Sequence, residues 1–147
     1  MRLLPYPAAA LPATLPGWVP RSGFPRRAVC GHDFDAVRVV AARGPALAAA
    51  VLNAGGRGPV LADPYSGSWH VFTAPGTMTL GDRWTTGSGF RLLRPGTRLR
   101  VPPANARAGP DLYWWVPPGA GSTSAAQLVT ALMAATGVTS PTPRAHR

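Results

Sequence analysis

Apolar positions along the chain fall into short runs separated by glycine- and proline-bearing turns, and in two places their period lengthens from about 2 to about 3.6. Ala36-Val-Arg-Val-Val-Ala41 is β-branched and apolar, the composition of a buried strand. A helix is predicted next. Pro45 suits its first position, Leu47, Ala48, Val51 and Leu52 make one apolar face, and Gly55 supplies the stop. Its alanines favour helix while adding little core volume, so the packing should be close and shallow.

Two further apolar runs, Pro59 to Ala62 and Trp69 to Thr73, flank a Pro-Tyr-Ser-Gly turn and predict a hairpin. Phe90-Arg-Leu-Leu93 and Arg98-Leu-Arg-Val101 predict a second hairpin around Pro95-Gly96. Leu112 to Val116 is a strand announced by Gly109-Pro110. A final helix begins at Ser124, whose hydroxyl can cap the amide of Gln127 while Gln127 reaches back. Leu128, Leu132 and Ala135 then face the sheet, and Gly137 ends the helix. The order β-α-β-β-β-β-β-α with tight turns between the middle strands predicts an α+β fold, two helices against a largely antiparallel sheet. Residues 1–27, with six prolines, form an irregular lead-in that Trp18 and Phe24 can tack down. Residues 28–138 form one domain, and 139–147 a flexible tail.

Length changes this picture little: 147 residues suit a single core. Charge changes it more. The formal charge is +10, carried by fifteen Arg against five Asp, with no Lys, Glu or Ile. Such a balance suggests an acidic partner, a nucleotide or nucleic acid, although GC-rich coding also enriches Arg, Ala, Gly and Pro. Arg91, Arg94, Arg98 and Arg100 fall within ten residues. On a strand, positions 94, 98 and 100 share a face, either as a phosphate-binding surface or as a solvated one. The lone Cys30 forms no internal disulfide and reads as a small buried hydrophobe. With no run of about 20 apolar residues to span a bilayer and no convincing signal-peptide core, no membrane partner is expected and the location is read as cytoplasmic.

Two short segments carry candidate chemistry. Ser66-Gly67-Ser68-Trp69-His70 offers small residues, exposed amides, two hydroxyls and an imidazole, the ingredients of a phosphate-binding nest, or simply of a hairpin turn whose histidine sits on a strand. Asp33 and Asp35 stand at i and i+2 before an apolar strand, where they either share a divalent cation such as Mg²⁺ or form a solvated Asx turn.

Taken together these segments resemble the N-terminal domain of bifunctional DNA primase/polymerases, a branch of the archaeo-eukaryotic primase superfamily. Asp33 and Asp35 match the family's acidic pair, and Ser66 to Phe72 its Ser-Gly-Gly-x-His turn and aromatic strand, with Ser68 for a Gly. Pro102-Pro103, Gly109, Tyr113 and Trp114 match its last element. The likeness runs from about residue 29 to 135 and extends to short members from high-GC bacteria, which match over Cys30 to Val37. It implies a primase/polymerase-like core. Asp33 and Asp35 would be catalytic ligands of Mg²⁺ or Mn²⁺, with nucleotide held by Ser66, Gly67, Ser68 and His70, to which Arg91, Arg98 and Arg100 add phosphate contacts.

The chain also departs from the pattern. Phe90 or Arg91 stands where the family has a later acid, and Ala104 replaces the Ser after the double proline. An Arg there would repel a bound metal, since two unit charges ~4 Å apart interact by about 4 kcal/mol at an effective dielectric of 20. The expectation is a degenerate domain that binds nucleotide or nucleic acid with weak or no nucleotidyl transfer. The alternatives are an active enzyme in which Asp82 supplies the further acid, and a non-catalytic protein-interaction domain that uses Trp69, Trp84, Trp114 and Trp115.

Overall fold

In the computed structural model, which describes residues 15–76 and 89–136, the chain runs β1 (Arg26–Val29), β2 (Asp35–Val40), a single 3-10 turn, α1 (Gly44–Asn53), β3 (Val60–Asp63), β4 (Ser68–Thr73), β5 (Phe90–Leu92), β6 (Arg98–Val101), β7 (Tyr113–Val116) and α2 (Ala125–Thr136). This is the α+β architecture expected. Five strands form one sheet in the order β5-β2-β4-β3-β7, every neighbour antiparallel, while β1 and β6 pair as a separate ribbon.

Strand β4 lies at the centre and is buried along its whole length. Alternation along its neighbours sorts side chains onto two faces. Val37, Val39, Trp69, Val71, Val60 and Ala62 pack under the helices with Leu47, Ala48 and Val51 of α1 and Leu128, Ala131 and Leu132 of α2. Ala36, Phe72, Leu61 and Trp114 turn to the opposite face. There they meet Val19, Ala28, Cys30, Phe34, Val101 and Leu112 in a second core, roofed by the ribbon and the lead-in.

Both helices begin as their residues predict. Pro45 stands in the first turn of α1. At α2 the Ser124 amide donates to Oε1 of Gln127 at 2.9 Å, and the Gln127 amide donates to Oγ of Ser124 at 3.1 Å, which completes the capping box. The shallow packing of α1 is visible at Gly44, where an added Cβ would fall 2.2 Å from the Trp69 ring.

Two differences from the sequence reading have clear causes. Strands β5 and β6 do not pair with each other: β5 adds to the edge of β2 and β6 to β1. The turn between them is tied to Cys30 instead, whose amide donates to the Thr97 carbonyl and whose carbonyl accepts from the Gly96 amide, both at 2.8 Å. The packed body also starts before residue 28. Strand β1 opens at Arg26, and the Trp18 ring sits 4.8 Å from Phe34 and 5.2 Å from Phe72, an aromatic group in which each pair is worth about 1 kcal/mol beyond its burial. Phe24, the other expected anchor, is 89 % exposed. Among the described residues no helix is long and apolar enough to cross a membrane.

Gly44 adopts an ordinary right-handed helical conformation, so the obstacle to a substitution there is the indole and not the backbone angle. Gly44→Ala should lower unfolding free energy by about 1–3 kcal/mol, read as a reduced urea midpoint at unchanged slope; an unaltered midpoint would mean that Trp69 moves aside at no cost.

Candidate functional site

The face of the sheet opposite the helices changes character along its length. At the Phe72 end it is apolar and covered. Toward the β3–β4 turn it becomes basic, because register aligns Arg91 of β5, Arg38 of β2, His70 of β4 and Leu61 of β3 in one cross-strand row. A hollow of about 350 Å³ opens here, lined by Arg38, Val39, Val40, Ser66, Gly67, Ser68, Gly89, Phe90 and Arg91.

Arg38 and Arg91 are both exposed and stand directly opposite each other on adjacent strands. Like charges so placed repel unless something anionic lies between them. Arg38 is held toward the turn, its Nε donating to Oγ of Ser68 at 2.8 Å. On the rear side the Arg43 guanidinium stacks 5.9 Å from the centre of the Phe90 ring and adds positive potential.

The turn is tied down by its own acid. Oδ1 of Asp63 accepts from the amides of Tyr65 at 3.1 Å and Ser66 at 3.3 Å. Those two amides serve an Asx turn and the Ser68 hydroxyl donates to the Ser66 carbonyl at 3.4 Å, so the anion-holding capacity of the hollow rests on the guanidiniums and on the Ser66 hydroxyl. Gly67 has a φ of 68° and open space around its α-carbon, which a turn of this tightness needs.

His70 lies behind the hollow rather than on its wall. It is 4 % exposed and stacks on Phe72 at 6.5 Å. Burial, seconded by the Arg38 charge and opposed by Asp63, pushes its pKa down to about 4, so the ring is neutral near pH 7. Its Nδ1 has no protein hydrogen-bond partner.

The remaining expected site residues lie elsewhere. Arg98 and Arg100 stand on β6, opposite Val29 and Arg27 on the exposed face of the ribbon, and neither lines the hollow. Arg94 precedes that strand in the turn. Arg100 is met by Asp111 at 3.5 Å.

Asp33 is in the β1–β2 turn, off the strand that begins at Asp35. One of its oxygens accepts from the Val29 amide at 2.7 Å and the other meets Nδ1 of His32 at 3.0 Å. The Val29 bond is the main reason its pKa is lowered. Asp35 pairs across with Thr73 at the end of β2 away from the hollow. Mg²⁺ or Mn²⁺ asks for several convergent oxygen ligands. Both Asp33 oxygens are already engaged by the Val29 amide and His32, and among the described residues no three His, Cys, Asp or Glu side chains gather to hold a metal. Asp82 and Trp84 lie outside the described residues. Of the other tryptophans, Trp114 is fully buried, and Trp69 packs with Trp115 in the core under the helices.

Arg38 is the residue that the sequence reading missed. It interrupts a β-branched run taken as wholly buried, and strict alternation between Val37 and Val39 is the signal that sends it to the other face. No protein-family model matches the chain, and no curated protein or solved structure matches it either.

The buried imidazole makes stability depend on pH. Between about pH 6.5 and 4 the unfolded chain takes up a proton at position 70 that the folded protein resists. Stability is therefore full above 6.5 and falls as the pH drops through that window, by at most about 1.4 kcal/mol per pH unit from this group. His70→Phe is expected to flatten that part of the curve of thermal midpoint against pH; an equally steep curve in the variant would assign the slope to other groups.

Proposed function

We propose that the protein binds the phosphates of a nucleotide or nucleic acid in the Arg38–Arg91 hollow, as a primase/polymerase-like domain with weak or no nucleotidyl transfer. The observation that carries this reading is the register that sets two exposed arginines opposite each other on neighbouring strands at the rim of one hollow, one of them anchored to Ser68 beside a Ser-Gly turn. An oxyanion between them converts repulsion into two charge-assisted contacts, and the planar fork of Arg fits phosphate well. The second like-charged pair, Arg27 and Arg100, lacks this arrangement, since Asp111 already meets Arg100. A cytoplasmic location completes the reading, in keeping with a single buried thiol at Cys30.

Binding of ATP and of a thymidine oligonucleotide, measured across a salt series, tests it. Arg38→Ala and Arg91→Ala should each weaken binding about tenfold, and for the oligonucleotide each should reduce the slope of log affinity against log salt by about 0.7. Arg98→Ala should leave both unchanged. A larger effect at Arg98 than at Arg38 would move the phosphate surface to the ribbon, and primer extension that Asp35→Ala abolishes would replace this reading with an active polymerase.

A further inference from the structure

Three large apolar or aromatic side chains stand exposed among the described residues, Phe24, Val40 and Tyr65, and two of them are at the arginine hollow. Val40 is 49 % exposed, lines the hollow opposite Ser68, and shares one face of β2 with Arg38 by alternation. Tyr65 is 84 % exposed and directly precedes Ser66, which lines the hollow from the β3–β4 turn. Hydrogen bonds in series tie this turn to the guanidinium. Nε of Arg38 donates to the Ser68 hydroxyl at 2.8 Å, and that hydroxyl donates to the Ser66 carbonyl at 3.4 Å. With neighbouring Cα atoms about 3.8 Å apart, the Tyr65 Cα is then within about 12 Å of the Arg38 Nε. A tyrosine side chain and a sugar-linked base together close such a gap.

The turn is firm while its ring is free. Asp63 holds the Tyr65 and Ser66 amides, yet the Tyr65 ring keeps most of its surface in water. Single exposed apolar residues are ordinary on a protein surface. Two of them beside a pair of like charges suit a ligand that is anionic at one end and flat and apolar at the other. The face of an aromatic ring stacks on any base, whereas reading a base edge takes hydrogen-bonding groups. The two amides of the turn nearest the ring already serve Asp63, so they leave the edge unread.

We propose that Tyr65 is the base platform of the hollow: with phosphate held between Arg38 and Arg91, the attached base stacks on the Tyr65 ring. This rests on the phosphate reading and adds to it that the site favours base-bearing phosphates over ring-free ones, with little choice among bases. The chemistry is shared by a free nucleotide and by one unit of a nucleic-acid strand.

Tripolyphosphate, ATP, CTP and a thymidine oligonucleotide, titrated into the parent protein, Tyr65→Leu, Tyr65→Phe and Arg38→Ala, test it. Tyr65→Leu keeps apolar bulk without a ring and alters an exposed side chain, so it should fold with the thermal midpoint of the parent. It should weaken ATP and CTP to a similar extent, about tenfold, and leave tripolyphosphate unchanged. Tyr65→Phe should bind all four as the parent does. Of ATP and the oligonucleotide, the one that loses more affinity in Tyr65→Leu is the source whose base lies on the ring. ATP and oligonucleotide affinities that survive Tyr65→Leu, an equal loss for tripolyphosphate, or an equal loss in Tyr65→Phe would each overturn the proposal, and the phosphate reading would stand as long as Arg38→Ala still weakens tripolyphosphate. Tripolyphosphate binding indifferent to Arg38→Ala would remove the phosphate reading and the platform with it.

Discussion

The antiparallel pairing of β2 with β4 governs the rest of the molecule. It runs six residues, from Asp35 opposite Thr73 to Val40 opposite Ser68, and it fixes which side chains go under the helices and which go to the other layer. A slip of one residue would exchange the two sets. Arg38 would then lie under α1 and α2 in place of Val39, an unpaired charge in an apolar core, and the misregistered sheet would cost several kcal/mol. The same pairing that builds the larger core therefore also delivers a guanidinium to the opposite face.

That face explains how one sheet serves both packing and binding. Its row of Arg91, Arg38, His70, Leu61 and Trp114 passes from exposed charge through a buried neutral imidazole to a fully buried indole. His70 is the intermediate: polar enough to stand beside Arg38, and uncharged enough to lie on Phe72. Asp63 plays a comparable part at the turn, where it supplies a fixed internal anion that shapes the backbone around Ser66. The turn that looked like a nest of open amides is in part already filled, and the guanidiniums become the principal anion-binding groups.

Local signals were legible wherever local chemistry decided the outcome. The capping box at Ser124, the proline at the start of α1 and the Pro-Tyr-Ser-Gly turn specify their elements through contacts only a few residues apart, and each stands where the residues predict. The pairing of β5 and β6 was not legible, since two apolar runs around Pro95-Gly96 look like a hairpin until the distant Cys30 backbone captures the turn between them. This outcome separates Arg91 from Arg98 and Arg100, which proximity in sequence had grouped. Asp33 and Asp35 illustrate the same limit, because alternation places them on one side only if both lie on the strand, and the bond from Asp33 to the Val29 amide holds it in the turn. Arg38 became recognisable as a site residue only once β5 was seen to lie beside β2.

Strand β7 carries an irregularity with a wider meaning. Val60 pairs with Val116 while Leu61 pairs with Trp114, so Trp115 is an extra residue in the ladder. Its indole joins Trp69 beneath the helices, while the adjoining Trp114 fills the opposite layer beside Phe72 and Trp18. The Trp114–Trp115 peptide thus adds, at the sheet edge, one more covalent link between two hydrophobic clusters that Ala36–Val37, Leu61–Ala62 and Val71–Phe72 already join through the strands. Each strand of the sheet is therefore a wall common to both layers, and a change that displaces the strand backbone on one side is felt by the packing on the other.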